Sequence, residues 1–276
     1  ARVVFAGDLA QNNAFSLYVA PLAGGAPAQV LWTATGGREV ERLLVTPDST
    51  RVVFTADGVV NARHQLYVAP VDASAAATLL PTTPGDPRVH ELVLSPDGTR
   101  VVYLAGNFVA SVPVDGSAAP VVLSPPLAAD RRVAGIPVVS DEWVLFRADV
   151  ALPHRFDLFA VPIDGSLPAR LVSVPLGTSG AEHHAIAGDE ILFVAPSVPE
   201  FGGWGLFRTP LAGGPLRTLT PPGVFVGGTS SSQASVLVHP DLHRVVFAGR
   251  ASVFAEPSSG LYLGFLGQPI RGAERP

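Results

Sequence analysis

Four stretches of the chain place charged or imidazole side chains just ahead of an apolar run. Glu39 and Glu41 precede "RLLV" at 42–45, and His90 and Glu91 precede "LVL" at 92–94. Arg132 precedes "VAGIPVV" at 133–139, and Glu182 and His183 precede "HAIA" at 184–187. Carboxylate, imidazole and guanidinium groups gathered in one place can accept and donate hydrogen bonds to a polar ligand. The same mixture also keeps a tunnel wet with no ligand at all. These seven residues therefore form a candidate binding mouth and name no reaction.

As metal ligands the histidines must converge, since zinc or manganese needs three or more together. His183 and His184 are adjacent, so on a strand they face opposite sides. His239 and His243 flank Pro240-Asp241 and can approach each other across a hairpin, with no third ligand nearby. His64 and His154 stand at similar places in two loops and are kept as ligand-contact candidates. No metal or cofactor is assigned. Phe201, Trp204 and Phe254 stand beside Gly and Pro in the loops 196–205 and 250–260, either as contact anchors or as packing. "GTSGA" 177–181 and "GGTSSSQ" 227–233 are not the G-x-S-x-G elbow, and the H-E-x-x-H and P-loop patterns are missing. The expectation is a non-enzyme.

Composition limits what can position these groups. The 276 residues are 47% hydrophobic and 15% charged, with 28 Gly and 27 Pro, which argues for many short elements joined by tight turns. The net charge of −5 and the lack of a basic run give nucleic acid no electrostatic footprint. No stretch of 18 apolar residues reads as a membrane span, and no signal peptide is visible. With no Cys there are no disulfides and no thiolate chemistry. The first residue, Ala1, reads as a processed end or the start of an excised domain.

Internal repetition supplies the elements. "RVVF" at 2–5 returns at 51–54, as "RVVY" 100–103, "WVLF" 143–146, "EILF" 190–193 and again "RVVF" 244–247, at intervals of 43 to 54 residues. Each copy is followed by a second strand such as "LYVAPVDAS" 66–74 and by a short third strand such as "ATLLPT" 77–82. A fourth then leads into the next copy, as in "ERLLVTPD" 41–48 and "HELVLSPD" 90–97. Four short strands in roughly 45 residues is the arithmetic of a propeller blade. Pro96, Asp97 and Gly98 then form the tight hairpin turn between an innermost strand and its neighbour. The candidate mouth residues fall where innermost strands begin.

The phrase S-P-D-G-x-R-V-V-Y followed by L-Y-V-A-P-V-D resembles the PD40, or WD40-like, repeat of TolB-type propellers and covers the whole chain. The expected fold is thus all-β: one six-bladed β-propeller over 1–276, with four-stranded antiparallel blades. One departure stands out. Innermost strands number five, beginning near 41, 90, 133, 183 and 234, so the first blade lacks its inner strand; "PIRGAER" 269–275 is taken as the last outer strand. Truncation from a longer chain is the favoured account, with the C-terminal tail or a partner strand as the other two. The resemblance implies a non-catalytic scaffold for a protein or peptide partner, periplasmic, secreted or at the cell surface. The alternatives are a lyase or hydrolase acting on a carbohydrate or small ligand at the central channel, and the accessory propeller of a larger enzyme.

Overall fold

The turn Ser95-Pro96-Asp97-Gly98 folds as its residues require. Gly98 adopts φ +71°, a left-handed conformation that costs glycine little, and its N–H donates to the Ser95 carbonyl at 2.8 Å. The Asp97 carboxylate accepts from the Thr99 N–H at 3.0 Å and from the Ser95 hydroxyl at 2.5 Å. Thr46, Asp48 and Thr50 make the same bonds in the preceding repeat, but there Ser49 takes the glycine position at φ +60°.

The computed structural model describes residues 1–35, 38–58, 63–83, 88–173, 180–198, 203–220, 224–226, 236–238, 244–251 and 258–265. Side chains are described up to Thr220, except those of His183, Ser197 and Val198. All regular structure among these residues is β, in six sheets. The first holds β1 (Arg2–Gly7), β2 (Ser16–Pro21) and β3 (Gln29–Trp32). The second holds β4 (Val40–Val45), β5 (Arg51–Ala56), β6 (Gln65–Pro70) and β7 (Thr78–Leu79). The third holds β8 (Val89–Leu94), β9 (Arg100–Ala105), β10 (Phe108–Pro113) and β11 (Val121–Val122). The fourth holds β12 (Val133–Val139), β13 (Trp143–Ala148), β14 (Asp157–Pro162) and β15 (Arg170–Leu171). The fifth holds β16 (Glu182–Ala187), β17 (Glu190–Val198), β18 (Gly203–Pro210) and β19 (Arg217–Thr218). The sixth holds β20 (Val224–Val226), β21 (Val236–Val238), β22 (Arg244–Ala251) and β23 (Ser258–Phe265).

In sheets two to five the strands lie side by side in chain order, so β4, β8, β12 and β16 occupy the inner edges. The first sheet has three strands, as the missing inner strand requires. The sixth differs from expectation: β20 pairs with residues 249–251 of β22 and β21 with residues 245–247, so two short strands share one edge. The proposed outer strand at 269–275 lies outside the described residues, as do His239, His243, Phe254 and the loop 227–233.

The chain divides into two compact units, Ala1–Val144 with Val161–Ala169 and Leu145–Ala160 with Arg170–Pro276. In the first unit, Val52 and Phe54 join one buried cluster with Leu17, Val19 and Tyr67, while Val53 joins another with Leu66, Val101 and Tyr103. A strand buried on both faces must be apolar on both, which explains the unbroken "VVF". Each fully buried Val or Phe contributes roughly 1.5–3 kcal/mol. Cross-strand aromatic pairs recur at one repeat position: Phe5–Tyr18, Phe54–Tyr67, Phe146–Phe159 and Phe193–Phe207 stack with centroids 5.5 to 5.7 Å apart.

Arginines tie neighbouring sheets. Arg2 donates to the Val71 carbonyl at 2.9 Å and Arg51 to the Val114 carbonyl at 3.5 Å. Arg100 acts through an intermediary. Its Nη2 donates to Ser111 Oγ at 2.9 Å, and that hydroxyl donates to the Ile163 carbonyl. In the fourth sheet Trp143 replaces the arginine. There Arg170 of β15 supplies the bond instead, donating to the Pro210 and Leu211 carbonyls at 3.0 and 2.9 Å. Val71, Val114, Ile163 and Leu211 are the same repeat position, the apolar residue after the Pro that ends β6, β10, β14 and β18.

Candidate functional site

The starts of β4 and β8 bring part of the sequence-derived mouth together. Glu39, just before β4, is held by its backbone: its N–H donates to Asp57 Oδ1 at 2.5 Å and its carbonyl accepts the Asp57 N–H at 3.3 Å. Asp57 is buried, so the start of β4 is fixed from inside the sheet while the Glu39 side chain remains exposed. Glu41 Oε2 lies 3.1 Å from His64 Nδ1 and 3.3 Å from Arg88 Nη2. Arg42 reaches across to β8, donating from Nε to the His90 carbonyl at 2.7 Å and from Nη2 to Glu91 Oε1 at 2.7 Å. The His90 side chain is exposed.

His64 sits differently from its neighbours. Its side chain is 4% exposed, and its carbonyl accepts the Val89 N–H at 3.0 Å, which anchors the start of β8. The Nδ1 contact with Glu41 is at ion-pair distance but not aligned as a hydrogen bond, and Nε2 has no hydrogen-bond partner. Beside it, Gly58 approaches Tyr67 so closely that a Cβ there would stand 1.9 Å from the Tyr67 hydroxyl oxygen. The Gly58 carbonyl accepts from Arg38 Nη1. The loop between β5 and β6 is therefore held tightly at its described ends.

Arg42 and Arg88 escaped the sequence reading, although the repeat contained the signal. Positions 39, 41 and 42 recur 49 residues later as 88, 90 and 91, and the pairs are Glu/Arg, Glu/His and Arg/Glu. Arg42 meets Glu91 at its own repeat position on the next blade, whereas Arg88 meets Glu41, two residues on from its counterpart Glu39. Arg42 and Arg88 are both 44% exposed. Exposed ion pairs of this kind stabilise a fold by roughly 0–1 kcal/mol. Such charges can turn to a partner at little expense in folding energy.

The other candidates lie apart from this cluster. Arg132 is exposed one residue before β12. Glu182 opens β16, where its charge acts on Arg147; burial lowers the Arg147 guanidinium below its usual range and Glu182 partly restores it. Arg147 Nη1 donates to the Ala181 carbonyl at 3.0 Å. His183 falls at an irregularity in the register between β16 and β17, and its side chain lies outside the described residues. His154 is exposed at φ +61°, with its N–H on Asp149 Oδ2 at 3.1 Å, whereas His64 is buried. Trp204, expected in a loop, is half-buried in β18 opposite Pro196, because β17 and β18 pair well beyond the repeat's usual length. Phe201 lies outside the described residues. No group of three or more His, Cys, Asp or Glu among the described residues is placed to hold a metal ion. No helix among them is long and apolar enough to cross a membrane.

No protein-family profile matches the chain, and no curated protein does. Among solved structures, an oligogalacturonate lyase in complex with manganese is similar over 96% of this chain and 71% of its own, at 11% identity and a TM-score of 0.53. A puromycin-hydrolyzing peptidase of Mycobacterium tuberculosis is similar over 98% of this chain and 43% of its own, at 16% identity and a TM-score of 0.51. TolB from Acinetobacter baumannii matches over 98% of this chain and 62% of its own, at 13% identity and a TM-score of 0.42. The chain is an all-β propeller. At these identities the likeness is one of fold.

Proposed function

We propose that this chain is a binding scaffold that holds a protein or peptide partner over the mouth at the starts of β4 and β8, in the bacterial envelope or extracellular space. One observation carries the reading. Glu41, Arg42, Arg88 and Glu91 form a solvent-facing cluster of alternating charge on two adjacent inner strands, with the strand starts fixed by Asp57 and His64. A rigid base with accessible, weakly paired charges suits recognition of a partner with complementary charge. The compartment rests on the resemblance of the repeat to TolB-type propellers. Affinity capture from extract of the native organism tests the reading. A partner enriched by the wild type and lost when Glu41, His90 and Glu91 are all changed to Ala supports it, and equal capture by both overturns the placement.

A second reading has its own observation. The Glu41–His64 contact with a free Nε2 is a carboxylate beside an imidazole, a pair used for proton transfer. In that reading the propeller acts on a carbohydrate or small ligand, or serves as the accessory propeller of a larger enzyme. Turnover of an oligosaccharide or peptide substrate that disappears in His64→Ala, with the fold intact, distinguishes it from a scaffold.

A further inference from the structure

His64 occupies a place where two other copies of the repeat carry phenylalanine. The residues just ahead of β2, β6, β10 and β14 are Phe15, His64, Asn107 and Phe156. In the first two sheets the backbone does the same work there. The Phe15 carbonyl accepts the Val40 N–H at 3.1 Å and the His64 carbonyl accepts the Val89 N–H at 3.0 Å, each fixing the start of the next inner strand. That work needs no imidazole. Yet the His64 ring is 4% exposed, and both its nitrogens are buried without a hydrogen-bond partner. A buried polar ring left unsatisfied where phenylalanine serves elsewhere calls for another reason.

The surrounding charges supply one. Glu41 Oε2 lies 3.1 Å from His64 Nδ1, and the Arg88 Nη2 stands 3.3 and 3.4 Å from the two oxygens of the same carboxylate. The carboxylate is thus shared between two claimants, neither at close range. With Arg42 on Glu91, the mouth carries two positive and two negative side chains while His64 is neutral. An imidazolium held out of water requires a counter-charge, and Glu41 is at ion-pair distance from it. The other groups about the loop are differently placed. Asp57 accepts the Glu39 N–H, Arg38 donates to the Gly58 carbonyl and the Tyr67 hydroxyl stands against Gly58. Arg63 precedes His64 in the chain, and the His90 side chain on β8 is exposed.

We propose that His64 is a proton-operated switch on the charge of the mouth, a reading that rests on the mouth being the binding site. On taking up a proton, His64 draws the Glu41 carboxylate inward and leaves Arg88, 44% exposed, free for an anionic group of the partner. The mouth then turns from balanced to positive, and acid favours an acidic partner.

The first test needs the protein alone. In NMR of the imidazole signals of the full chain, His64 is the signal lost in His64→Phe, a variant that installs the residue found at 15 and 156. Glu41→Gln is expected to lower the pH at which that signal titrates by at least about one unit, and Arg88→Gln to raise it by about half a unit. A titration that Glu41→Gln leaves unchanged overturns the switch, as does a ring that stays neutral down to the pH of unfolding. The second test follows the anisotropy of a fluorescein-labelled hexaglutamate peptide at about pH 7.5 and about pH 5.5, at constant ionic strength. Acid is expected to tighten binding to the wild type at least about threefold more than to His64→Phe or Arg88→Gln. His90 is kept in all three, so its own charge cancels in the comparison. Equal tightening in all three, or no binding at all, overturns the release of Arg88. The NMR titration involves no partner, so failure of the switch and failure of the scaffold reading are told apart.

Discussion

Ser111→Ala removes one oxygen and tests how the sheets of the first unit are joined. Ser111 is 0% exposed on β10, paired across to Val102 and Val121. Its hydroxyl donates to the Ile163 carbonyl and accepts from Arg100 Nη2 at 2.9 Å and Nε at 3.3 Å. Alanine leaves that carbonyl without this donor, at roughly 1–3 kcal/mol for a buried orphan. The lost charge-assisted bond adds to this, but Arg100 is only half-buried and can turn to Asp164 or to water, so that part is discounted. The expected loss is about 2–3 kcal/mol. At roughly 2–4 °C per kcal/mol for a chain of this size, the unfolding midpoint falls by about 5–10 °C. Calorimetry and urea unfolding measure it. Combining the change with Arg100→Met is expected to show coupling of about 1 kcal/mol. A loss under about 0.5 kcal/mol for Ser111→Ala, or strict additivity with Arg100→Met, refutes the latch.

Ser49→Gly relieves a serine at φ +60° where the next repeat has glycine, and is expected to raise stability by about 0.5–1 kcal/mol in thermal unfolding. Gly58→Ala forces a Cβ onto the Tyr67 hydroxyl and should lower the unfolding midpoint by several degrees, as well as weaken partner capture through the displaced His64 loop. Acid should destabilise the fold in a defined window. The Thr46 hydroxyl, then the backbone and hydroxyl of Thr50, hold Asp48 down to about 2 from 3.8, and Ser74 and Ser117 lower Asp72 and Asp115 in the same way. Because the folded values are depressed, this stability is present above pH 4 and is lost as pH falls towards 2. Asp48→Asn should shrink the loss measured by acid titration of the unfolding midpoint.

The fold was legible because the repeat is written in residues with local physics. "SPDG" fixes a turn, "RVVF" fixes a strand buried on both faces, and their spacing fixes the blade. The double inner edge of the sixth sheet was not legible, since "VFV" at 224–226 has no counterpart in the other copies. Trp204 was misplaced because the extension of β17 and β18 overrides the Gly-Pro composition that reads as a loop. Among the candidates, Glu41 and Glu91 stand ahead of apolar runs in the sequence, and the structure sets both in the charged cluster at the starts of β4 and β8. Arg42 and Arg88 were missed because a single blade does not reveal what its neighbour offers. Comparing repeat positions between blades sets Arg42 against Glu91 and brings Arg88 within two residues of Glu41, its partner.

The account rests on the claim that the mouth at β4 and β8 is where a partner binds. A photocrosslinking amino acid at position 90, whose side chain is exposed, tests this most directly, with position 115 on an exposed turn as the reference. In extract of the native organism, the account predicts a discrete crosslinked species from position 90 that is absent from position 115. It also predicts that the species is lost when Glu41, Arg42 and Glu91 are changed to Ala. No species at position 90, or the same species from both positions, contradicts the claim.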